Sequence, residues 1–101
     1  MAEFRLKIPD WPKDERPRER AIKRGIGTLS DAELLGILIA KGTKEKTAID
    51  VARELIFKYG SLKGLLSRSL AEYSTVKGVG DAKAVIIGAA FEISRRTQSL
   101  S

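Results

Sequence analysis

Residues 76–84 read Val-Lys-Gly-Val-Gly-Asp-Ala-Lys-Ala, and their spacing suits the binding of an anion. They separate a short, partly apolar segment from a long apolar one, a pattern that predicts a helix, a tight glycine hairpin and a second helix. Gly78 and Gly80 reach left-handed backbone angles at little steric cost and let another backbone approach closely. The amides that begin the second helix lack helical acceptors, and the helix dipole makes that end positive. Such a helix start is a ready binding site for phosphate.

The residues of the hairpin are expected to have different roles. We expect Val79 to turn inward and pin the loop to both flanking helices. The amides near Gly78, Gly80 and Asp81 are then left without acceptors by the helix that starts there. The competing interpretation is that Gly-Val-Gly only joins two helices tightly, a use to which the same pattern is also suited.

Two lysines flank the hairpin. Lys77 and Lys83 are placed to reach a neighbouring phosphate, although Lys83 suits a solvent-facing position equally well. Amides and lysines on phosphate fix position without reading bases, so the pattern predicts sequence-independent DNA binding through the minor-groove side or one strand's backbone. The candidate DNA-binding residues are Lys77, Gly78, Val79, Gly80, Asp81 and Lys83.

The rest of the composition argues against catalysis and metal binding. The chain of 101 residues has no Cys and no His. Their absence removes disulfides, the usual zinc ligands and any nucleophile activated by His. The acids at predicted helix starts suit capping and the helix dipole better than acid–base work; they are Asp31, Glu33, Asp50, Glu72 and Asp81. We therefore expect no enzyme activity, no metal and no cofactor in this chain.

The charge of the chain is positive and unevenly distributed, with a formal net value of +6. Residues 1–27 hold eight Lys and Arg against five Asp and Glu, residues 28–60 hold five against five, and residues 61–101 hold six against three. The two ends could form one basic face, which favours a polyanionic partner such as DNA. Ordinary solubility is the alternative use of this charge.

The predicted architecture is a compact all-α domain of five to six helices. Residues 1–15 are expected to form an extended arm, on which Phe4, Leu6 and Ile8 alternate with basic residues. Trp11 either anchors this arm on the core or stacks on a base. Residues 16–98 form the helical domain, and residues 99–101 a disordered tail. No apolar run is long enough to span a bilayer, and the first residues lack a signal-peptide stretch, so we expect no membrane contact and a cytoplasmic location.

Caps and glycines delimit the helices, which are predicted over residues 16–24, 30–41, 47–59, 61–66, 69–74 and 81–98. Pro17 suits the first turn of the first helix, and Gly25 ends it. Ser30, Thr47 and Ser69 open capping boxes. The third helix carries an apolar stripe made of Val51, Ala52, Leu55, Ile56 and Tyr59.

A faint internal repeat accompanies this pattern. Gly42 and Gly78 each follow a lysine and precede an alanine and an apolar helix, at an offset of 36 residues. The first copy, however, has Lys44 where the second has Gly80. Duplication of a helix-hairpin-helix unit and chance similarity between capped helices both account for the repeat.

Three stretches, in this order, resemble the N-terminal domain of the RadC family of DNA repair proteins. They are Ile-Pro-Asp-Trp-Pro with Glu-Arg-Pro-Arg-Glu in residues 8–19, Leu-Ser-Asp-Ala-Glu-Leu-Leu in residues 29–35, and the hairpin of residues 77–84. The resemblance covers nearly the whole chain. It implies a helical fold with a helix-hairpin-helix unit like that of the second domain of RuvA, and a role in DNA repair.

The resemblance also implies a neighbour. In that family a JAMM-type metalloprotease-like domain with a His-x-His metal motif usually follows, so this chain resembles an excised or truncated N-terminal part without the hydrolase. Two functions therefore remain. One is a sequence-independent DNA-binding module. The alternative is a protein-interaction or accessory domain that packs on such a C-terminal domain, and it predicts an exposed apolar patch and no DNA affinity.

Overall fold

In a computed structural model the described residues are 8 and 16–98, and all their regular structure is helical. Six α-helices lie in this part of the chain: α1 (Pro17–Arg24), α2 (Asp31–Ile39), α3 (Ala48–Tyr59), α4 (Leu62–Leu65), α5 (Leu70–Ser74) and α6 (Asp81–Gln98). A short 3-10 helix, Ile26–Thr28, joins α1 to α2. The all-α prediction is confirmed. The predicted arm and tail lie outside the described residues, except for Ile8, which packs half-buried against the core.

The three predicted capping boxes set the starts of α2, α3 and α5. In each box a hydroxyl accepts the amide of the third helical residue, and the carboxylate of that residue accepts the amide before the helix. The pairs are Ser30 with Glu33, Thr47 with Asp50, and Ser69 with Glu72. These bonds satisfy amides that a helix start leaves without partners, and so they fix where each helix begins.

The C-terminal ends depend on backbone angles. Gly25 follows α1 with a φ of 97°, and Gly60 follows α3 with a φ of 88°, which glycine adopts at little cost. The second helix ends at Ile39, two residues before the predicted end. The reason is Ala40, whose φ of 68° and ψ of −57° turn the chain out of the helix.

The core lies where α2 packs on α3 and α6, and α5 completes it by packing on α6. Its fully buried side chains include Ile39, Val51, Leu55, Leu65 and Ile87. The ring of Tyr73 packs tilted against Phe91, with centroids 6.3 Å apart, and its hydroxyl donates to the Leu65 carbonyl. Burial of these apolar groups holds α5 and α6 together, and so fixes the ends of the chain segment that joins them.

Candidate nucleic-acid interface

The candidate site is the loop of residues 75–80, which joins α5 to α6. It is called the second loop, because residues 40–47, the first loop, join α2 to α3 in the same way. Val76 and Val79 are buried, with 7% and 2% of their surface exposed. The Val79 amide donates to the Val76 carbonyl at 3.0 Å, which closes a tight turn. Val79 thus turns inward, as predicted, and the two valines hold the loop against the core.

Gly78 is required by packing. Its φ is 99°, and a Cβ on it would lie 3.0 Å from Val51 Cγ2 and 3.1 Å from Thr43 Cγ2. A side chain here would be strained and crowded. The glycine therefore presses the second loop against α3 and against the first loop (residues 40–47), which joins α2 to α3.

Gly80 differs from Gly78, because of the two only Gly78 uses the left-handed backbone angles that glycine can reach at little steric cost. Among the described glycines, positive φ occurs at positions 25, 60 and 78, and nothing lies within 4 Å of a Cβ placed on Gly80. The Gly80 carbonyl accepts from the Ala84 amide at 2.9 Å and begins α6. Within residues 16–98, the amides of Gly78, Gly80 and Asp81 have no protein acceptor. The missing side chain thus leaves the start of α6 uncovered.

Asp81 places a negative charge at this same helix end. The Ser74 hydroxyl lies 3.0 Å from the Leu70 carbonyl and 3.2 Å from Asp81 Oδ1. Its single proton serves two acceptors, so the Asp81 carboxylate is only partly satisfied. This carboxylate stabilises the helix dipole, and it opposes the approach of another anion.

The two lysines differ: the side chain of Lys77 extends into solvent, whereas that of Lys83 bonds to another part of the fold. Lys77 Nζ lies 3.9 Å from Glu45 Oε2, and 79% of the lysine side chain is exposed. An exposed pair of this length holds the ammonium group weakly. Lys83 Nζ donates to the carbonyl of Lys41, in the first loop. The sequence predicted that Lys83 either reaches a phosphate or faces solvent. In the structure its ammonium group is instead bonded to the Lys41 carbonyl.

The first loop is the part of the site that sequence reasoning missed. It contacts the second loop at two points, Thr43 against Gly78 and Glu45 near Lys77, and it contacts the first turn of α6 through the bond from Lys83 to the Lys41 carbonyl. The faint repeat was the only sequence signal for this juxtaposition. Its offset of 36 matches the buried positions Ala48 with Ala84 and Val51 with Ile87, whereas α6 begins one turn earlier than α3.

The acids with shifted pKa values belong to caps and ion pairs. Burial by itself would raise the pKa of Glu33, but bonds from the Ser30 amide and hydroxyl and from Arg20 outweigh it and hold that pKa below its usual value. The Ser69 amide is the main cause that lowers the pKa of Glu72. Among the described residues, no group of three or more acids is placed to hold a metal ion. No helix in this part of the chain has the length and apolar character needed to cross a bilayer.

Comparison with known proteins gives several close relatives. The chain is 48% identical over 91 residues to a UPF0758 protein of Acidithiobacillus ferrooxidans, which covers 90% of this chain and 41% of that protein. It is 47% identical over 96 residues to a UPF0758 protein of Thioalkalivibrio sulfidiphilus, which covers 95% and 43%. A UPF0758 protein of Desulforudis audaxviator is 46% identical over 94 residues, covering 93% and 41%.

These relatives are longer proteins, of which the chain spans about two fifths. No solved structure matches the chain. A family described as UPF0758 N-terminal matches residues 8–85, which include α1 to α5 and the first five residues of α6. Because this match extends over most of the sequence, the chain belongs to the UPF0758 N-terminal family.

Proposed function

We propose that this chain is the sequence-independent DNA-binding module of a RadC-like DNA repair protein, and that the second loop contacts backbone phosphate as a helix-hairpin-helix unit. The observation that supports it is the uncovered start of α6. A Cβ on Gly80 would meet no atom within 4 Å, and the neighbouring amides have no acceptor within the described chain. The family match is consistent with the RadC resemblance of the sequence.

The loop is ordered before any ligand arrives. Val76 and Val79 are buried, and Gly78 lies against Val51 and Thr43, so binding a phosphate would not have to order this backbone. Lys77 belongs to this loop and keeps most of its side chain in solvent. These features favour contact with backbone phosphate over recognition of base edges, and they favour a salt-dependent affinity.

The experiment covers the exposed start of α6 by placing a side chain at position 80. We expect Gly80→Leu to lower the affinity for a labelled duplex about tenfold or more, because the side chain covers the amides. Gly27→Leu is the matched control, since a Cβ on Gly27 also meets nothing within 4 Å and lies in the 3-10 helix. Anisotropy titrations at two salt concentrations give the affinity, and circular dichroism checks the fold. A flat salt response, or equal binding by Gly80→Leu and wild type, would refute the proposal.

A protein-docking role is the second candidate, and α6 supports it. The helix exposes Val85, Ile86 and Ile93, which are 53%, 47% and 64% accessible. The relatives are more than twice as long as the aligned part, so a further segment exists in them that could cover this face. The test is co-purification of this chain with the remaining part of the Acidithiobacillus ferrooxidans relative. Loss of the complex in Ile93→Glu would support docking, and no complex with wild type would count against it.

A further inference from the structure

We infer that a shallow groove beside the second loop holds an unpaired base of DNA, so that the chain prefers a duplex that adjoins a single strand. This inference rests on the proposed DNA-binding function. The groove lies between α3 and the second loop. It is lined by Arg53, Glu54, Phe57, Lys58, Thr75, Val76 and Lys77.

Phe57 is the most unusual feature of this groove. Its side chain is 90% exposed, although it lies in a helix whose other large apolar residues face the core. It falls outside the stripe formed by Val51, Leu55 and Tyr59, so the sequence pattern already set it apart. One exposed apolar residue is ordinary on a protein surface. Phe57 is informative because cationic side chains line the same groove.

Three cations line the groove together with Phe57: Arg53 and Lys58 from α3, and Lys77 from the second loop. Arg53 lies 3.7 Å from Asp50 and Lys77 lies 3.9 Å from Glu45, and both cationic side chains remain largely exposed. The one acid that lines the groove, Glu54, pairs with Lys46. The Lys58 ammonium donates to Thr75 Oγ1 at 2.6 Å, which fixes one wall of the groove. An open aromatic face among cations is the combination that binds single-stranded nucleic acid, because bases stack on the ring while phosphates meet the charges.

The groove and the proposed phosphate site adjoin along the chain. Val76 and Lys77 line the groove and also belong to the turn that leads to Gly80. A strand whose phosphate meets the start of α6 can therefore place a neighbouring nucleotide near Phe57. Bases inside a duplex are paired and stacked, so only an unpaired nucleotide can lie on the ring. The occupant that this charge and shape fit is the single-stranded end or gap of a DNA duplex.

The experiment compares two DNA ligands that differ in one feature. A blunt duplex and the same duplex with a short single-stranded overhang containing 2-aminopurine are titrated with the wild-type chain. We expect the overhang to bind about tenfold tighter and the 2-aminopurine fluorescence to be quenched by stacking. Phe57→Leu should abolish this preference and the quenching without changing blunt-duplex binding, whereas Phe57→Trp should keep both. Ile22→Ala is the matched control, since Ile22 is 81% exposed on α1.

The outcomes separate this inference from the proposal beneath it. If wild type binds neither DNA, the proposed DNA-binding function fails, and the inference with it. If wild type binds both DNAs equally, or Phe57→Leu keeps the overhang preference, the groove inference is overturned and the proposed function stands. If Phe57→Leu changes only the association with the remaining part of a longer relative, the groove belongs to a protein partner, which also overturns the inference.

Discussion

The two loops of this domain join helices in the same way, yet they treat their backbone amides differently. The first loop uses its polar groups internally: the Thr43 hydroxyl accepts the amides of Glu45 and Lys46, at 3.2 and 3.1 Å. Its last residue, Thr47, caps α3. The second loop ends in Gly80, which has no side chain to cap α6. The closed loop is therefore a support, and the open loop carries the proposed ligand site.

The difference shows that topology alone does not make a binding site. Both loops lead from a helix with a capping box into an apolar helix. The residue that precedes the second helix decides whether the helix start is open, because the Thr47 hydroxyl accepts the Asp50 amide of α3, whereas Gly80 has no side chain to accept an amide of α6. The first loop still serves the second. It supplies the methyl group against Gly78 and the carbonyl that receives Lys83.

The largest effect should come from the closed loop. A Cβ on Gly42 would lie 1.9 Å from the Lys46 carbonyl oxygen and 2.6 Å from the carbonyl carbon of Thr47. Gly42→Ala must therefore displace backbone, and we expect it to lower the free energy of unfolding by about 3 kcal/mol in urea titrations. Gly27→Ala is the control and should change it by no more than about 0.5 kcal/mol. Equal stability of the two variants would mean that the first loop is not a rigid support.

A smaller effect on stability should distinguish the capping box of α2 from that of α5, the two helices that precede the loops. The folded pKa of Glu33 lies below its unfolded value, so its contribution is present above about pH 4.5 and is lost as the pH falls through the folded pKa. Glu33→Gln should cost about 1 kcal/mol at pH 7, and this cost should decrease as the pH falls through the folded pKa. Glu72 also has a lowered pKa but is 41% exposed against 16% for Glu33, so Glu72→Gln should cost less.

The comparison of the capping variants is measured by urea unfolding at a series of pH values. The salt bridge from Arg20 to Glu33 is the structural reason for the larger effect. A cost for Glu33→Gln that stays constant over the whole acid range in which the protein remains folded would show that the charge of Glu33 does not stabilise the start of α2.

The smallest effect on stability should come from making the second loop resemble the first. Gly80→Ser adds a hydroxyl that can cap α6, so we expect the free energy of unfolding to rise by about 0.5 kcal/mol. The same hydroxyl occupies an amide of the proposed phosphate site, so the affinity for duplex DNA should fall. Urea unfolding and anisotropy titration measure the two changes. A variant that is more stable and binds DNA as well as wild type would break the link between the open amides and the proposed function.

Local chemistry decided most of the secondary structure, and the sequence shows it. The starts of α2, α3 and α5 follow from a hydroxyl and a carboxylate three residues apart, which bond to backbone within one turn. The glycines after α1 and α3 end those helices because the required angle belongs to a single residue. The end of α2 was missed because Ala40 adopts an angle that its residue type does not favour.

Only the tertiary structure assigned the roles within the candidate site. From the sequence, Gly78 and Gly80 were alike, and Lys77 resembled Lys83. The difference between them comes from distant parts of the chain: Val51 and Thr43 confine Gly78, and the Lys41 carbonyl holds Lys83, whereas nothing confines Gly80. The sequence determined by itself where helices begin and that a glycine turn joins α5 to α6. Packing between distant segments decided which face of that turn is closed and which is open, because such contacts leave no local pattern in the chain.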